Sequence, residues 1–379
     1  MRGGGIKIGK IFGIPIFLHT SWFLIFLLNA YWTATGFSAT NHGRSQIQNW
    51  SLGALTSLLF FGSVLFHELA HSVVAKRYRI PVASITLFFF GGLARISREP
   101  ERTGQEFLIA AAGPVSSYFL AGSFLLVGIL SPHGSALRVL ATTLGVINAY
   151  LATFNLLPGF PMDGGRILRS IIWGITKDYT RSTRIAARGG QVVAFCMMGF
   201  GVWVAFEAHA SGGDYMDGLW YVLIGWFVLG MARQSSAQVE VRGALEGLRA
   251  ADIMTPETPT IARDISLEEY AQEVARTGRR GHLVVTDGQL VGLMTVGALQ
   301  SVPREEWPMM SVQAVMLTRD RLPWAAPEEP ALQLLDRMRG ANVDQMAIVA
   351  SGNVVGLVTR DSIMRVIETR NDLGHLTSR

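Results

Sequence analysis

Between Ser51 and Ala75 the chain runs for twenty-five residues with a single formally charged side chain, Glu68. That is the length and apolarity a helix needs to cross the ~30 Å hydrocarbon layer of a bilayer. Comparable runs lie at roughly 15–35, 107–130, 138–157, 189–206 and 218–233, so about six transmembrane helices are expected, all before Glu240. Hydrophobic residues make up 49% of the 379 residues and charged residues only 16%, a balance that excludes an ordinary soluble enzyme. The expected architecture is a multi-span α-helical membrane core over 1–240, followed by a soluble α/β part over 241–379.

Charge divides the same way. Up to Glu240 there are 18 Lys and Arg against 10 Asp and Glu, and from Val241 onward 15 against 18. The positive excess therefore belongs to the apolar part, where it reads as topology. Arg2, Lys7 and Lys10 precede the first span. Lys76, Arg77, Arg79, Arg95, Arg98 and Arg102 lie between the second and third, and Arg166, Arg169, Lys177, Arg181, Arg184 and Arg188 between the fourth and fifth. The alternate connections hold only Arg44 and Arg138. Basic loops stay in the cytoplasm, which puts both termini there, in a multi-pass cell-membrane protein. The short basic start leads into a span without a convincing cleavage site, so no cleavable signal peptide is expected. No basic stripe or reading motif is present, and nucleic acid is not an expected partner. Cys196, the one cysteine, excludes an internal disulfide or a thiolate cluster and is expected to be inert packing.

The second span carries His67-Glu68-Leu69-Ala70-His71. Residues four apart on a helix share a face, so both imidazoles can reach one ion. Glu68, about 100° away around the helix, can approach a water there without becoming a ligand. Zinc suits two neutral imidazoles and a carboxylate and keeps its fourth position for water. A solvated surface cluster is the bland alternative, but at membrane depth an ionisable group costs about 2–3 kcal/mol or more and calls for a partner. The fourth span ends Asn155-Leu156-Leu157-Pro158-Gly159-Phe160-Pro161-Met162-Asp163-Gly164-Gly165-Arg166, where prolines and glycines break the helix around an acid. Asp163 in isolation reads equally well as a turn or capping residue. Glu207, Asp214 and Asp217 fall on the opposite side by the charge argument, so Asp163 is the choice for a third ligand. Between the second and third spans, Val82 to Phe90, Gly91-Gly92 and Leu93 to Ile96 read as a β-hairpin too short to span.

After Glu240 two stretches repeat, near 250–301 and 311–367. Each opens on a short methionine element (Asp252-Ile253-Met254-Thr255; Ala314-Val315-Met316-Leu317). Each then runs to a matching strand, Leu290-Val291-Gly292-Leu293-Met294-Thr295 and Val354-Val355-Gly356-Leu357-Val358-Thr359. Two copies of one unit packed together are expected.

The pairing of the two metal motifs resembles the site-2 protease family of intramembrane metalloproteases, within it the six-span prokaryotic branch with a C-terminal pair of cystathionine-β-synthase (CBS) domains. Phe12 to Trp22 and Ala110-Ala111-Ala112-Gly113-Pro114 are similar to those proteins as well. The resemblance implies His67, His71 and Asp163 as zinc ligands and Glu68 as the base cutting a membrane-spanning or membrane-bound regulatory protein. It implies a substrate-binding or transition-state role for Asn155, and for the hairpin ending at Gly91-Gly92 a role in holding substrate. His19 is left between a supporting role at the metal and a satisfied or interfacial histidine, the latter favoured. In the CBS pair the resemblance implies adenine-nucleotide contacts at Thr295 and Thr359. Where the family often has a ribose-binding aspartate the chain has Ala298 and Ser362, with Asp361 one residue earlier. Nucleotide binding is therefore weighed evenly against a homodimerising or substrate-gating module. The alternatives to the protease are a ligand-regulated channel or transporter, since CBS pairs also hang from those, and a catalytically silent scaffold.

Overall fold

The structure is a computed structural model that describes the whole chain except residues 1–4, 41–44, 90, 97, 212, 214, 257–258, 287–288, 320–321, 323, 342, 352 and 378–379. Arg2, Arg44, Phe90 and Asp214, each used in the sequence argument, lie outside the described residues. The chain divides into two compact units, Met1–Ala237 and Gln238–Arg379.

The first unit opens not with a helix but with two strands, β1 (Gly5–Ile11) and β2 (Ile14–His19), and the first helix α1 starts only at Thr20 and ends at Thr40. The expected first span thus begins five residues late. Ile14, Pro15, Ile16, Phe17 and Leu18 are as apolar as a span, but the turn at Phe12-Gly13, both at positive φ, folds them back on β1. Helix α2 (Gln46–Arg77) carries the histidine motif. The expected hairpin follows as β3 (Val82–Phe88) and β4 (Gly91–Ile96), completing a four-stranded sheet of order β1-β2-β3-β4 with β4 at its edge. Then come α3 (Thr103–Leu130), α4 (Ala136–Asn155), α5 (Asp163–Thr176), α6 (Tyr179–Ala210) and α7 (Met216–Leu245).

Helices α2, α3, α4 and α6 are long and apolar enough to cross a membrane, and α1 and α7 stand at the positions of the first and sixth expected spans. The burial pattern is that of a membrane protein. Leu27, Phe119, Leu126, Ile129, Val192, Phe195 and Phe206 point outward, while Ser57, Ser63, Ser117, Ala121, Asn148, Ala186, Ala187 and Gly190 are buried. Lipid tails are as apolar as leucine, so helices associate through small residues and interhelical hydrogen bonds. Ser57 Oγ donates to the Phe26 carbonyl at 3.0 Å and Asn148 Nδ2 to Ser63 Oγ at 3.2 Å. Cys196, expected to be inert packing, lies exposed on α6.

The connection between the fourth and fifth spans also departs from a plain basic loop. Its first half is the helix α5, which buries Gly164, Gly165, Arg169 and Ser170. Arg169, counted above as a topology charge, is a core residue.

The second unit contains α8 (Ala250–Ile253), β5 (Thr260–Ala262), α9 (Leu267–Thr277), β6 (Gly281–Thr286), β7 (Gln289–Thr295) and α10 (Val296–Gln300). Its second repeat contains α11 (Val312–Val315), β8 (Leu317–Thr318), β9 (Trp324–Ala325), α12 (Ala331–Ala341), β10 (Gln345–Ala350), β11 (Asn353–Thr359) and α13 (Arg360–Thr377). The sheets run β5-β6-β7-β8 and β11-β10-β9. The two repeats are interlocked rather than side by side. Ala250 and Ile253, from the opening of the first, are buried with Leu334, Met338, Ile348 and Val358 of the second. Val312, from the opening of the second, is buried with Leu267, Tyr270, Val284 and Met294 of the first. A side chain on Gly356 would collide with Met254, and one on Gly292 with Met316. This accounts for the methionine and the strand glycine recurring together in both copies.

Candidate active site

Two turns of α2 place His67 and His71 on its buried face, 4% and 5% exposed. The break after α4 brings Asp163, first residue of α5, against them. His67 Nε2 lies 3.0 Å and His71 Nε2 3.1 Å from Asp163 Oδ2, and the two Nε2 atoms are 3.1 Å apart. Three donors bound tetrahedrally about 2.0–2.1 Å from zinc would sit roughly 3.3 Å from one another, so the set has nearly the spacing such an ion needs. Among the described residues these three form the only group of His, Cys, Asp or Glu able to hold a metal.

The far side of each ring is also held. His71 Nδ1 donates to the Ile109 carbonyl at 2.6 Å, which can only accept, and in the neutral ring that a metal requires this leaves the Nε2 lone pair for the ion. His67 Nδ1 meets Ser117 Oγ at 2.9 Å. Partners of this kind fix the ring and raise its basicity as a ligand. Both come from α3, and between them lies Gly113, where any side chain would overlap both imidazoles. Gly113 and Ser117 went unread as site residues. Their one signal was a pair of small residues four apart in an apolar span, and the run Ala110 to Pro114 had counted only as a resemblance. The Ile109 carbonyl, being backbone, leaves no signal at all.

Glu68 faces β4. Its Oε2 accepts from the Ala94 N–H at 3.1 Å, and Gly92 lacks the side chain that would strike its carboxyl group. Gly91 has a φ of 130°, open in practice to glycine alone. The two glycines therefore divide the work, one turning the hairpin and the other admitting Glu68.

Other expected residues fall further out. Asn155 closes α4 with its Nδ2 donating to the Leu151 carbonyl at 3.0 Å. His19 is exposed at the junction of β2 and α1, accepting from the Ser21 N–H at 3.2 Å, and is no part of the metal cluster. In the second unit, Thr359 and Asp361 line a cleft of about 600 Å³ together with Arg279, Arg280, Arg360 and Arg365. Thr295 is not among its lining residues. Each threonine hydroxyl caps the next helix, Thr295 Oγ1 accepting from Ala298 N at 3.1 Å and Thr359 Oγ1 from Ser362 N at 3.0 Å.

Comparison with known proteins matches residues 55–141 and 130–198 to peptidase family M50, and residues 250–303 and 312–369 to the CBS domain. The zinc metalloprotease MJ0392 of Methanocaldococcus jannaschii is 31% identical over 371 residues, covering 97% of this chain and 98% of that one. The sll0528 protein of Synechocystis sp. is 34% identical, with 96% of each chain covered. The solved structure of a site-2 protease from Methanocaldococcus jannaschii matches at 34% identity and a TM-score of 0.44, over 61% of this chain and 95% of that one. Whole-length likeness to a zinc metalloprotease decides the class against a channel or transporter. The chain belongs to peptidase family M50, the site-2 proteases, and is a membrane-embedded zinc metalloprotease followed by a pair of CBS domains.

Proposed function

We propose that this chain is an intramembrane endopeptidase that cuts a membrane-spanning or membrane-bound regulatory protein at zinc held by His67, His71 and Asp163. The observation that carries this is the convergence of two Nε2 atoms and one carboxylate oxygen to within 3.1 Å of one another inside a bundle of apolar helices. Zinc, when bound, supplies a Lewis acid that lowers the pKa of water toward about 7 and polarises a carbonyl. The remaining work belongs to the chain. Glu68 takes the proton released as water oxygen adds to the peptide carbonyl carbon. It then passes that proton to the departing amine nitrogen as the C–N bond breaks. The Ala94 N–H holds the Glu68 carboxyl group in place through both transfers. Asn155 has a second amide N–H beyond the one given to Leu151, and we assign it to the developing oxyanion. The open edge of β4, beside Glu68, suits an extended substrate strand paired backbone to backbone, which would unwind a substrate helix and expose its peptide bond.

The CBS pair is assigned to gating or presenting substrate, as a homodimer, with an adenine nucleotide in the cleft at Thr359 and Asp361. Four arginines line that cleft, matching a phosphate-bearing ligand better than a neutral one. Both termini are assigned to the cytoplasm on the charge argument above. Co-expression with candidate single-span proteins tests the whole reading. Wild type should release a shortened product, Glu68→Gln should keep about one zinc per chain and release none, and His67→Ala should lose both. Glu68→Gln losing zinc as completely as His67→Ala would overturn the assigned roles.

A further inference from the structure

A buried ion pair joins α3 to α5, the helices that bear on the metal cluster, outside the ligand set. Glu106, in the first turn of α3, is 1% exposed, and Arg169, on α5, is 6% exposed. Arg169 Nε donates to Glu106 Oε1 at 2.7 Å, and its Nη2 meets the same oxygen. The guanidinium is also flanked by two rings, 5.0 Å from the centroid of Phe160 and 4.7 Å from that of Tyr179. Phe160 stands three residues before Asp163 and is itself docked on α6 through its N–H to the Ala186 carbonyl at 3.1 Å.

The two helices joined by the pair have different tasks. Helix α3 presents the Ile109 carbonyl, Gly113 and Ser117 to the imidazoles, whereas α5 begins with the carboxylate. No hydrogen bond links Asp163 directly to α3 among the described residues. Burying two charges is a poor route to stability, since well-packed apolar residues often serve as well or better. A pair retained there has more to offer in geometry: a guanidinium held by a carboxylate and two rings admits one register of α5 against α3.

We infer that Glu106 and Arg169 are positioning residues, setting the distance between Asp163 and the imidazoles that α3 holds. This rests on the zinc site proposed above. Outer partners of a metal site cost 10–100-fold in metal affinity when removed, and that is the loss expected here.

The test measures zinc affinity by chelator competition and the thermal midpoint of the metal-free full chain in detergent, side by side. Glu106→Gln, which keeps the shape and removes the charge, should weaken zinc by about 10-fold or more. The double variant Glu106→Leu/Arg169→Leu should regain the wild-type metal-free midpoint and still bind zinc about 10–100-fold more weakly. His67→Ala in the same titration reports on the site itself. If His67→Ala binds zinc like wild type, the ligand assignment fails. If His67→Ala loses zinc while Glu106→Gln and the double variant keep wild-type affinity, the ion pair is packing alone and the positioning role is wrong.

Discussion

Two glycines decide where the chemical groups can stand, and their substitutions should fail differently. Gly113→Ala thrusts a methyl group between both imidazoles, so zinc and activity should be lost together, metal content falling well below one per chain. Gly92→Ala displaces only Glu68, and zinc should stay while turnover falls by 10²-fold or more, of the order a lost general base costs. Metal analysis beside a cleavage assay separates the two. Of these positions the sequence showed the hairpin glycines, because a Gly-Gly between two apolar β-runs reads as a turn. It hid Gly113, since a glycine in a span has many uses and its neighbour across the bundle is invisible in one dimension. His282 makes a third residue-scale prediction. It is buried on β6 with neither ring nitrogen hydrogen-bonded among the described residues. Burial pushes its pKa below the ordinary value of about 6.5. The unfolded chain therefore takes the proton first, so stability is full above that ordinary value and declines as pH falls through it. The melting midpoint of the second unit should drop between about pH 7 and pH 5, and His282→Leu should flatten that slope.

Elements were legible where a period or a charge stood out, and misread where apolarity alone was the guide. The span pattern located α2, α3, α4 and α6, and the motif spacing put His67 and His71 on one face of α2. Residues 15–19 have the composition of a span start, which a buried strand shares; the turn at Phe12-Gly13 makes them strand. The arginines of α5 advertise a basic loop in the sequence, whereas one of them, Arg169, is buried against Glu106. In the second unit the repeat was plain but its exchange was not, as period says nothing about which copy an opening segment enters. Ile253→Ala tests the exchange. It removes a side chain buried in the core of the other copy, at a cost of about 2–5 kcal/mol. Hydrogen exchange should quicken first in β10 and β11 of the second repeat, and only afterwards in β6 and β7 of the first.

At the scale of the molecule, the two units answer to different solvents. The first turns its leucines and phenylalanines outward and its serines inward, while the second buries a conventional apolar core. They should therefore separate in function as in composition. A chain ending after Gln238 should fold in detergent and keep about one zinc, since every proposed ligand and every partner of one precedes that point. Its cleavage of a natural substrate should change in rate or site selection. Unchanged cleavage, with or without adenine nucleotides, would reduce the CBS pair to an assembly element.

The interlocked repeats also set the order of events at the ribosome. Leu245 and Ala250, near the start of the second unit, share a core with Ile363 and Ile367, near the end of the chain. A growing polypeptide folds from its N-terminal side as it emerges, but the core that Leu245 and Ala250 enter cannot close until α13 is translated. By then every membrane helix has long been made and can have met its neighbours. The protease part can thus be assembled before its soluble companion is whole, and a stop codon before Ile363 would leave an otherwise finished membrane enzyme carrying a soluble unit whose second core cannot close.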